Sequence, residues 1–236
     1  MRVLQVVLEQ TSTHDRAAPT PRVRASPCTA NLACGKMEGV ELMSLETDLL
    51  PPIANASQDS APPPHPRDFK PVNNQANFNR PKPALWCSPV TAWSADGAPT
   101  ATAWTAWLAN PGDVTGQPSK HDGTCTRITA VKPLPEAQIY LIDTKADLDR
   151  LVAAFPLPPD HMMYRSTPDW EAMASAGWDA VYASDAGLAA NAERHVIAEP
   201  SLHGWDCPSV LWLRPTYQLT PSDTEAPAEQ APPSYE

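Results

Sequence analysis

The sequence has few glycines, and none of them form a glycine-rich loop. The nine glycines are scattered along 236 residues. P-loop and dinucleotide-binding proteins hold phosphate groups with a glycine-rich turn before a helix, so both classes are disfavoured. The apolar run within residues 1–10 (MRVLQVVLEQ) is too short to span a membrane, and no cleavage site for export follows it. We therefore expect a cytoplasmic protein without a membrane segment.

Patterns that mark metal sites and hydrolases are also missing. The five cysteines are odd in number and lack the paired spacing of zinc sites, which predicts reduced thiols and no metal centre. The six histidines are not accompanied by an HExxH helix or by a serine on a glycine-flanked elbow. A lone histidine is usually structural or exposed, so none of them is predicted to be catalytic.

Basic charge is scarce as well. The formal net charge is −10 and the sequence pI is near 5.0. Phosphate backbones would repel such a chain, so nucleic acid is not the expected partner. Local basic residues such as Arg80 and Lys82 still allow a small anionic ligand.

Proline and tryptophan, in contrast, divide the chain into three parts. Eighteen of the 29 prolines lie in residues 17–83 and the last thirty residues, whereas all eight tryptophans lie between Trp86 and Trp212. Large apolar side chains offset the entropy of ordering a chain, so the tryptophans mark the folded part. We predict a disordered proline-rich leader over residues 1–79, a folded domain over 80–219 and a disordered acidic, proline-rich tail over 220–236.

Short apolar runs alternate with helical patterns inside the predicted domain. The patterns predict helices at 99–109, 143–155 and 167–177, and strands at 84–88, 127–131, 137–142, 179–184, 195–198 and 209–213. Strands 127–131 and 137–142 are predicted to form a hairpin or to lie side by side, and Gly187 is assigned to a turn. The fold class that follows is α+β, a single compact domain of short mixed strands with about three helices, flanked by disordered extensions.

The stretch HGWDCPSVLWL, at residues 203–213, is the strongest local signal for a site. Gly204 allows close backbone approach, Trp205 offers a flat stacking face, Asp206 a carboxylate and Ser209 a hydroxyl, all before an apolar strand. This arrangement is typical of a pocket rim. The same residues also fit a packing role, with Trp205 in the core and Asp206 capping backbone amides.

The stretch NRPKPALWCSP, at residues 79–89, is the second candidate. Arg80 and Lys82 precede a strand whose Trp86 and Ser88 point to one face, because side chains alternate along a strand. A cation, an aromatic ring and a hydroxyl would then line one cleft. A basic surface loop before an ordinary strand explains the pattern equally well.

Five segments, taken in order, resemble those of a family of bacterial and bacteriophage proteins. They are KPALWCSP, TAWTAWL, QIYLIDTKADLDRLVAAF, GWDAVYAS and HGWDCPSVLWL, and they cover nearly all of residues 80–214. The layout is similar to ADP-ribosyltransferase-like folds, in which two small packed sheets hold NAD in a cleft. This likeness is an analogy at the level of the fold.

The resemblance implies that NAD is a substrate and gives roles to six residues. It assigns catalysis to Asp206 and Ser209, and contact with NAD to Lys82, Trp86, Ser88 and Trp205. One departure matters. The family pattern has a glutamate directly before the serine of the last strand, whereas this chain has Pro208, which carries neither charge nor amide donor. Catalysis would then have to use Asp206 in place of that glutamate.

Two function hypotheses from different classes follow. The first is an NAD-binding, ADP-ribosyltransferase-like domain of a bacterium or phage that acts on an unidentified acceptor. The second is a non-catalytic interaction module whose proline-rich arms engage a host or phage protein, because extended proline-rich segments suit docking grooves. A folded protein that retains no activity is a third reading of the same sequence.

Overall fold

The computed structural model describes residues 23–24, 42–57, 63–75, 80–109, 125, 127–194 and 199–220. The strands within these ranges are β1 (Val23–Arg24), β2 (Ser44–Leu45), β3 (Ile53–Ser57), β4 (Leu85–Trp93), β5 (Pro99–Thr102), β6 (Arg127–Pro133), β7 (Ile139–Ile142), β8 (Ala180–Ala183), β9 (Ser209–Trp212) and β10 (Tyr217–Leu219). The α-helices are α1 (Ala103–Ala109), α2 (Lys145–Ala154), α3 (Trp170–Ser175) and α4 (Asp185–Asn191). Short 3-10 helices span Thr47–Leu49 and Pro66–Asp68.

The strands form one ten-stranded sheet. Its order is β1-β2-β7-β8-β9-β4-β3-β6-β10, and β5 pairs with β4 outside this path. Strands β7 and β8 are parallel and are connected through α2 and α3, whereas β9 is antiparallel to both β8 and β4. Mixed strands with separate helices confirm the predicted α+β class and the compact domain.

Each face of the sheet carries its own hydrophobic cluster. Alternation along β9 puts Leu211 into one cluster and Val210 and Trp212 into the other. Helices α2 and α3 cover the Leu211 face, while Leu45 and Ile53 contribute to the Trp212 face. None of the described helices is long and apolar enough to cross a membrane.

Helix α2 forms where the sequence predicts it. Thr144 is its N-cap and makes a reciprocal capping box with Asp147. Leu148, Leu151 and Val152 are buried on one face of the helix, as their spacing requires. Helix α3 is shorter than predicted, because its N-cap is Asp169, whose side chain accepts a hydrogen bond from the Ala172 amide at 2.8 Å. The helix predicted at 167–177 therefore begins three residues later, at Trp170.

The folded part begins before residue 80, contrary to the predicted boundary. Strand β3 lies inside the sheet between β4 and β6, and Ile53 and Ala54 are 2% and 0% exposed. The sequence IANAS has small side chains next to prolines and no tryptophan, so the aromatic criterion missed it. Pairing with β4 on one side and β6 on the other stabilises strand β3 instead. The remainder of the predicted leader, apart from 42–57 and 63–75 and the pair at β1, lies outside the described residues, as does the tail from 221 onward.

Strands β6 and β7 are not neighbours, so the predicted hairpin was wrong. Strand β6 pairs with β3 and β10, whereas β7 pairs with β2 and β8. The connector KPLPE carries the chain between these parts of the sheet, and the Leu134 amide donates to the Thr216 carbonyl at 3.1 Å. Strand β4 also runs through Pro89, which lies where pairing with β9 has ended and pairing with β5 has not begun. The missing amide donor of that proline is therefore tolerated.

Two further helical assignments differ from the sequence predictions. The first half of the predicted helix 99–109 is strand β5, so only Ala103–Ala109 is helical. The turn assigned to Gly187 is instead the first turn of α4, capped by Ser184. This raises the described α-helices to four, one more than predicted. The strand predicted at 195–198 lies outside the described residues.

Candidate functional site

A cavity of about 230 Å³ opens on the sheet beside β3 and β4. Strand β9, the loop before it and the start of α1 complete its walls. The lining residues are Ala54, Asn55, Ala56, Arg80, Trp86, Cys87, Ser88, Trp104, Asp206, Cys207 and Ser209. The two stretches singled out in the sequence therefore meet at one concave surface, although more than a hundred residues separate them.

Small side chains on adjacent strands leave the space that this cavity occupies. Antiparallel pairing sets Ala54 opposite Ser88 and Cys87 opposite Val210. Ser88 follows Cys87 on β4 and Ser209 precedes Val210 on β9, and both serines are buried. Neighbouring strands thus bring the three small side chains of Ala54, Ser88 and Ser209 together, and the cavity lies beside them.

Trp86 and Trp104 form the aromatic lining of the cavity, and Trp205 packs against Trp86. The rings of Trp86 and Trp205 meet edge to face with centroids 4.7 Å apart, and Trp205 stacks in turn on Trp170 at 6.2 Å. Trp205 is only 5% exposed and does not line the cavity. It supports Trp86 from the core, whereas Trp86 and Trp104 both present surface to the cavity. The packing role weighed for Trp205 in the sequence is the one that the structure shows.

The cation at the cavity is Arg80, whereas Lys82 does not line it. Lys82 is exposed and its amide donates to the Asn73 carbonyl at 3.0 Å. The Arg80 guanidinium lies 5.6 Å from the Trp86 ring centroid, within the range of a cation–π contact. It also forms an ion pair with Asp206, with 2.9 Å between the Nη2 and Oδ2 atoms.

The hydroxyl groups of the site already make internal hydrogen bonds. Ser88 Oγ accepts from the Trp104 amide at 3.2 Å, which joins β4 to the start of α1. The Ser209 hydroxyl donates to the Cys207 carbonyl at 2.9 Å. A nucleophilic serine would pass its proton to a general base, and here the proton points to a carbonyl. Ser209 therefore has the geometry of a hydrogen-bonding residue and not that of an activated nucleophile.

Two cysteines, Cys87 and Cys207, line the cavity, and burial lowers the reactivity of both thiols. Burial raises the pKa of the Cys87 thiol, although contact with Trp212 acts in the opposite direction. Burial likewise raises the pKa of Cys207, whose Sγ lies 3.6 Å from Ser209 Oγ. Because the thiolate is the reactive form, both thiols are mostly protonated and react slowly near neutral pH. The described cysteines, which include Cys125, form no disulfide with one another.

Reasoning from the sequence missed four lining residues as parts of the site: Ala54, Asn55, Ala56 and Trp104. Asn55 lies in the segment assigned to the leader, and its Nδ2 donates to the Trp86 carbonyl at 2.8 Å. Trp104 was read only as part of an apolar helix face. Arg80 was predicted, with Lys82, to supply the cation of a cleft, but the resemblance gave a role to Lys82 alone. The pairing of Arg80 with Asp206 depends on a loop contact that no periodicity reveals. Across the described ranges, no group of three or more histidine, cysteine or acidic side chains could hold a metal ion.

A scan against protein-family models found no match to this chain, and searches among curated proteins and among solved structures found none either.

Proposed function

We propose that the protein binds NAD in the cavity lined by Trp86 and acts as an ADP-ribosyltransferase-like domain of a bacterium or phage. The observation that carries the proposal is the convergence of Trp86, Ser88, Asp206 and Ser209 on one cavity, because the resemblance gave NAD contact to the first two residues and catalysis to the last two. An aromatic face with a few convergent polar groups is the usual composition of a small-molecule site.

The size of the cavity limits which part of NAD it would hold. Pockets that bury a drug-sized ligand typically enclose about 300–1,000 Å³, whereas this one encloses about 230 Å³. The nicotinamide riboside end of NAD suits this volume, and the adenosine end would lie outside. The nicotinamide ring would stack on Trp86 or Trp104, with the ribose hydroxyls near Asp206.

Asp206 is the residue on which catalysis would depend. When the bond between ribose C1′ and the nicotinamide nitrogen breaks, its electron pair leaves with nicotinamide and positive charge develops on the ribose. A carboxylate facing that charge stabilises the transition state more than the ground state. The acceptor nucleophile then attacks C1′ and loses its proton. Pro208 stands where the family pattern has a carboxylate, so Asp206 is the carboxylate available at the cavity.

Isothermal titration with NAD tests the binding step. We expect binding to wild-type protein, and we expect Asp206→Asn to weaken it by about tenfold to a hundredfold, the effect of losing a hydrogen bond to a charged group. Asp160→Asn, at an exposed aspartate outside the cavity, is the matched control. No heat at millimolar NAD, or equal affinity in both variants, would end the proposal.

A cavity-filling variant locates the ligand independently of charge. Ala56 lines the cavity and is half-buried, so Ala56→Leu should occupy part of the ligand's space and abolish NAD binding. Ala146→Leu places the same side chain on the exposed face of α2 and should bind NAD normally. If Ala56→Leu binds as well as wild type while the melting temperatures of both variants match wild type, NAD is bound elsewhere.

A non-catalytic binding module is the second candidate function. Two observations favour it: Arg80 already pairs with Asp206, and Pro208 supplies no carboxylate. Chromatographic detection of nicotinamide release separates the two functions, because a module of this kind would bind ligand without releasing nicotinamide. Capture of a protein partner should be compared between the full chain and a truncation that retains residues 42 onward, since removal of residues 1–79 would delete strand β3 from the sheet.

A further inference from the structure

The ion pair between Arg80 and Asp206 lies at the opening of the cavity. Asp206 is the exposed member of the lining residues, and the Arg80 side chain is 38% exposed. The two residues are 126 positions apart in the sequence. Their pairing joins the segment before β4 to the loop before β9, two parts of the chain that both line the cavity.

We propose that this pair is a latch over the cavity, and that ligands reach the interior only after Arg80 and Asp206 separate. The latch regulates access to the site of the proposed function, and it rests on that function only for the identity of the ligand. Its own test below uses no NAD, so the latch and the NAD proposal can fail separately.

The position of the Arg80 guanidinium supports a closing role. It rests on the Trp86 ring. The chain also turns close to it at Gly204, which has φ +85°, and a Cβ built there would lie 3.3 Å from Arg80 Nε. The guanidinium is thus close to both the indole and a glycine turn, whose lack of a side chain permits the close approach.

The closed arrangement is held weakly. Both side chains of the pair remain about a third exposed, at 38% and 35%, and ion pairs in contact with water are weak and are screened by salt. The Arg80 Nε is buried and has no hydrogen-bond partner among the described residues. A buried donor without an acceptor is unfavourable, so opening would relieve a defect of the closed state. These properties suit a latch that opens readily.

Cys207 reports the opening of the cavity. It lines the interior and is only 6% exposed, so a thiol reagent must pass the opening to reach it. Cys87 also borders the cavity, but its thiol contacts Trp212 in the cluster on the other face of the sheet and the residue is 3% exposed, so it is the internal reference. All proteins in the experiment carry serine in place of Cys28, Cys34 and Cys125. Alkylation of each remaining thiol is followed by peptide mass spectrometry.

The informative variant is Arg80→Gln. We expect it to raise the Cys207 alkylation rate about two- to fivefold, the effect of removing an exposed ion pair, with the Cys87 rate unchanged. Burial raises the pKa of Cys207 and the Arg80 charge opposes that shift, so loss of the charge alone would slow the reaction. Faster alkylation in Arg80→Gln therefore reports access and not electrostatics.

A matched control removes an arginine from another exposed pair. Arg67 lies 3.7 Å from Asp68, and neither residue lines the cavity. Arg67→Gln should react like wild type. High salt should accelerate Cys207 alkylation in wild type but have little effect in Arg80→Gln, because the pair that salt screens is already absent. An unchanged Cys207 rate in Arg80→Gln, or a parallel rise of the Cys87 rate, overturns the latch, since the second result means that the thiols react through unfolding.

Discussion

Replacing Gly187 with alanine tests the closest contact in the fold. Gly187 is buried in the first turn of α4, where the helix lies against the end of β7. A Cβ at this position would lie 2.1 Å from the Ile142 carbonyl oxygen and 2.8 Å from its carbon. Ordinary contacts begin at 3.4 Å, so α4 would have to retreat by more than an ångström. Both obstructing atoms are backbone, so no side chain can rotate away.

Two opposing effects decide the sign of the change in stability. Alanine in place of glycine inside a helix stabilises by about 0.5–1 kcal/mol. Crowding of a closely packed site costs about 1–3 kcal/mol. The retreat would also strain the cap in which the Gly187 amide donates to Ser184 Oγ at 3.0 Å, and losing a cap costs about 0.5–2 kcal/mol. We expect a net loss of about 2 kcal/mol in the free energy of unfolding.

Thermal and urea unfolding measure this loss. For a domain of this size, about 2 kcal/mol lowers the melting temperature by about 4–8 °C. Ala189→Gly, at an exposed position of the same helix, is the control, because it changes helix propensity without a close contact and should cost about 1 kcal/mol. A Gly187→Ala protein that melts at or above the wild-type temperature would show that α4 does not approach β7 so closely.

Three other predictions concern stability. Thr144→Ala should lower the free energy of unfolding by about 1 kcal/mol through loss of the capping box, and Thr144→Ser should retain most of it in the same urea titration. Asn74→Ala should speed hydrogen exchange at 71–75, because its side chain bonds both Asp169 and the Trp170 amide. Burial raises the pKa of Tyr140, Tyr182 and Tyr217 from 10.0 to about 12. The folded state thus favours neutral phenols, and their contribution to stability, complete below pH 10, should be lost as the pH rises to about 12. Tyrosinate absorbance and circular dichroism should then change together, and ionisation of all tyrosines near pH 10 in folded protein would contradict this.

Local signals in the sequence were sufficient for part of the fold. Helix α2 carries its cap, its apolar stripe and its stop within a dozen residues, so its position is readable without tertiary information. Strands β8 and β9 are short apolar runs, and the structure places both where the sequence predicted them. Each of these elements is determined mainly by residues inside it or directly beside it.

Elements that depend on distant partners were missed. The residues of β3 have no strong preference of their own, and the strand exists because β4 and β6 pair with it on both sides. Gly187 was read as a turn because glycine usually weakens helices, whereas here its missing side chain allows α4 to contact β7. In both cases tertiary contact outweighs local propensity.

Some residues of the candidate site could likewise be predicted from local patterns, whereas others depend on distant contacts. Trp86 and Ser88 share a face because of strand alternation, which the sequence shows, and Ser209 follows from the pairing of β9 with β4. The choice between Arg80 and Lys82, in contrast, depends on how an irregular loop turns, and loops have no period from which to predict it. The resemblance assigned Trp205 to the ligand. A tryptophan near a polar rim fits either a pocket or the core, and only the contacts of Trp205 with Trp86 and Trp170 distinguish these two roles.

The two candidate functions make opposite demands on Asp206. Catalysis needs its negative charge directed at the ribose, whereas in the structure that charge is partly neutralised by Arg80. A latch that opens when ligand binds resolves this conflict between catalysis and the observed ion pair, because Asp206 would gain its full charge only in the occupied state. Nicotinamide release should then be faster in Arg80→Gln than in wild type at subsaturating NAD, where opening limits the rate, and similar in the two proteins at saturating NAD. A binding module instead predicts tighter or faster NAD binding in Arg80→Gln with no nicotinamide released, so one variant separates the two functions.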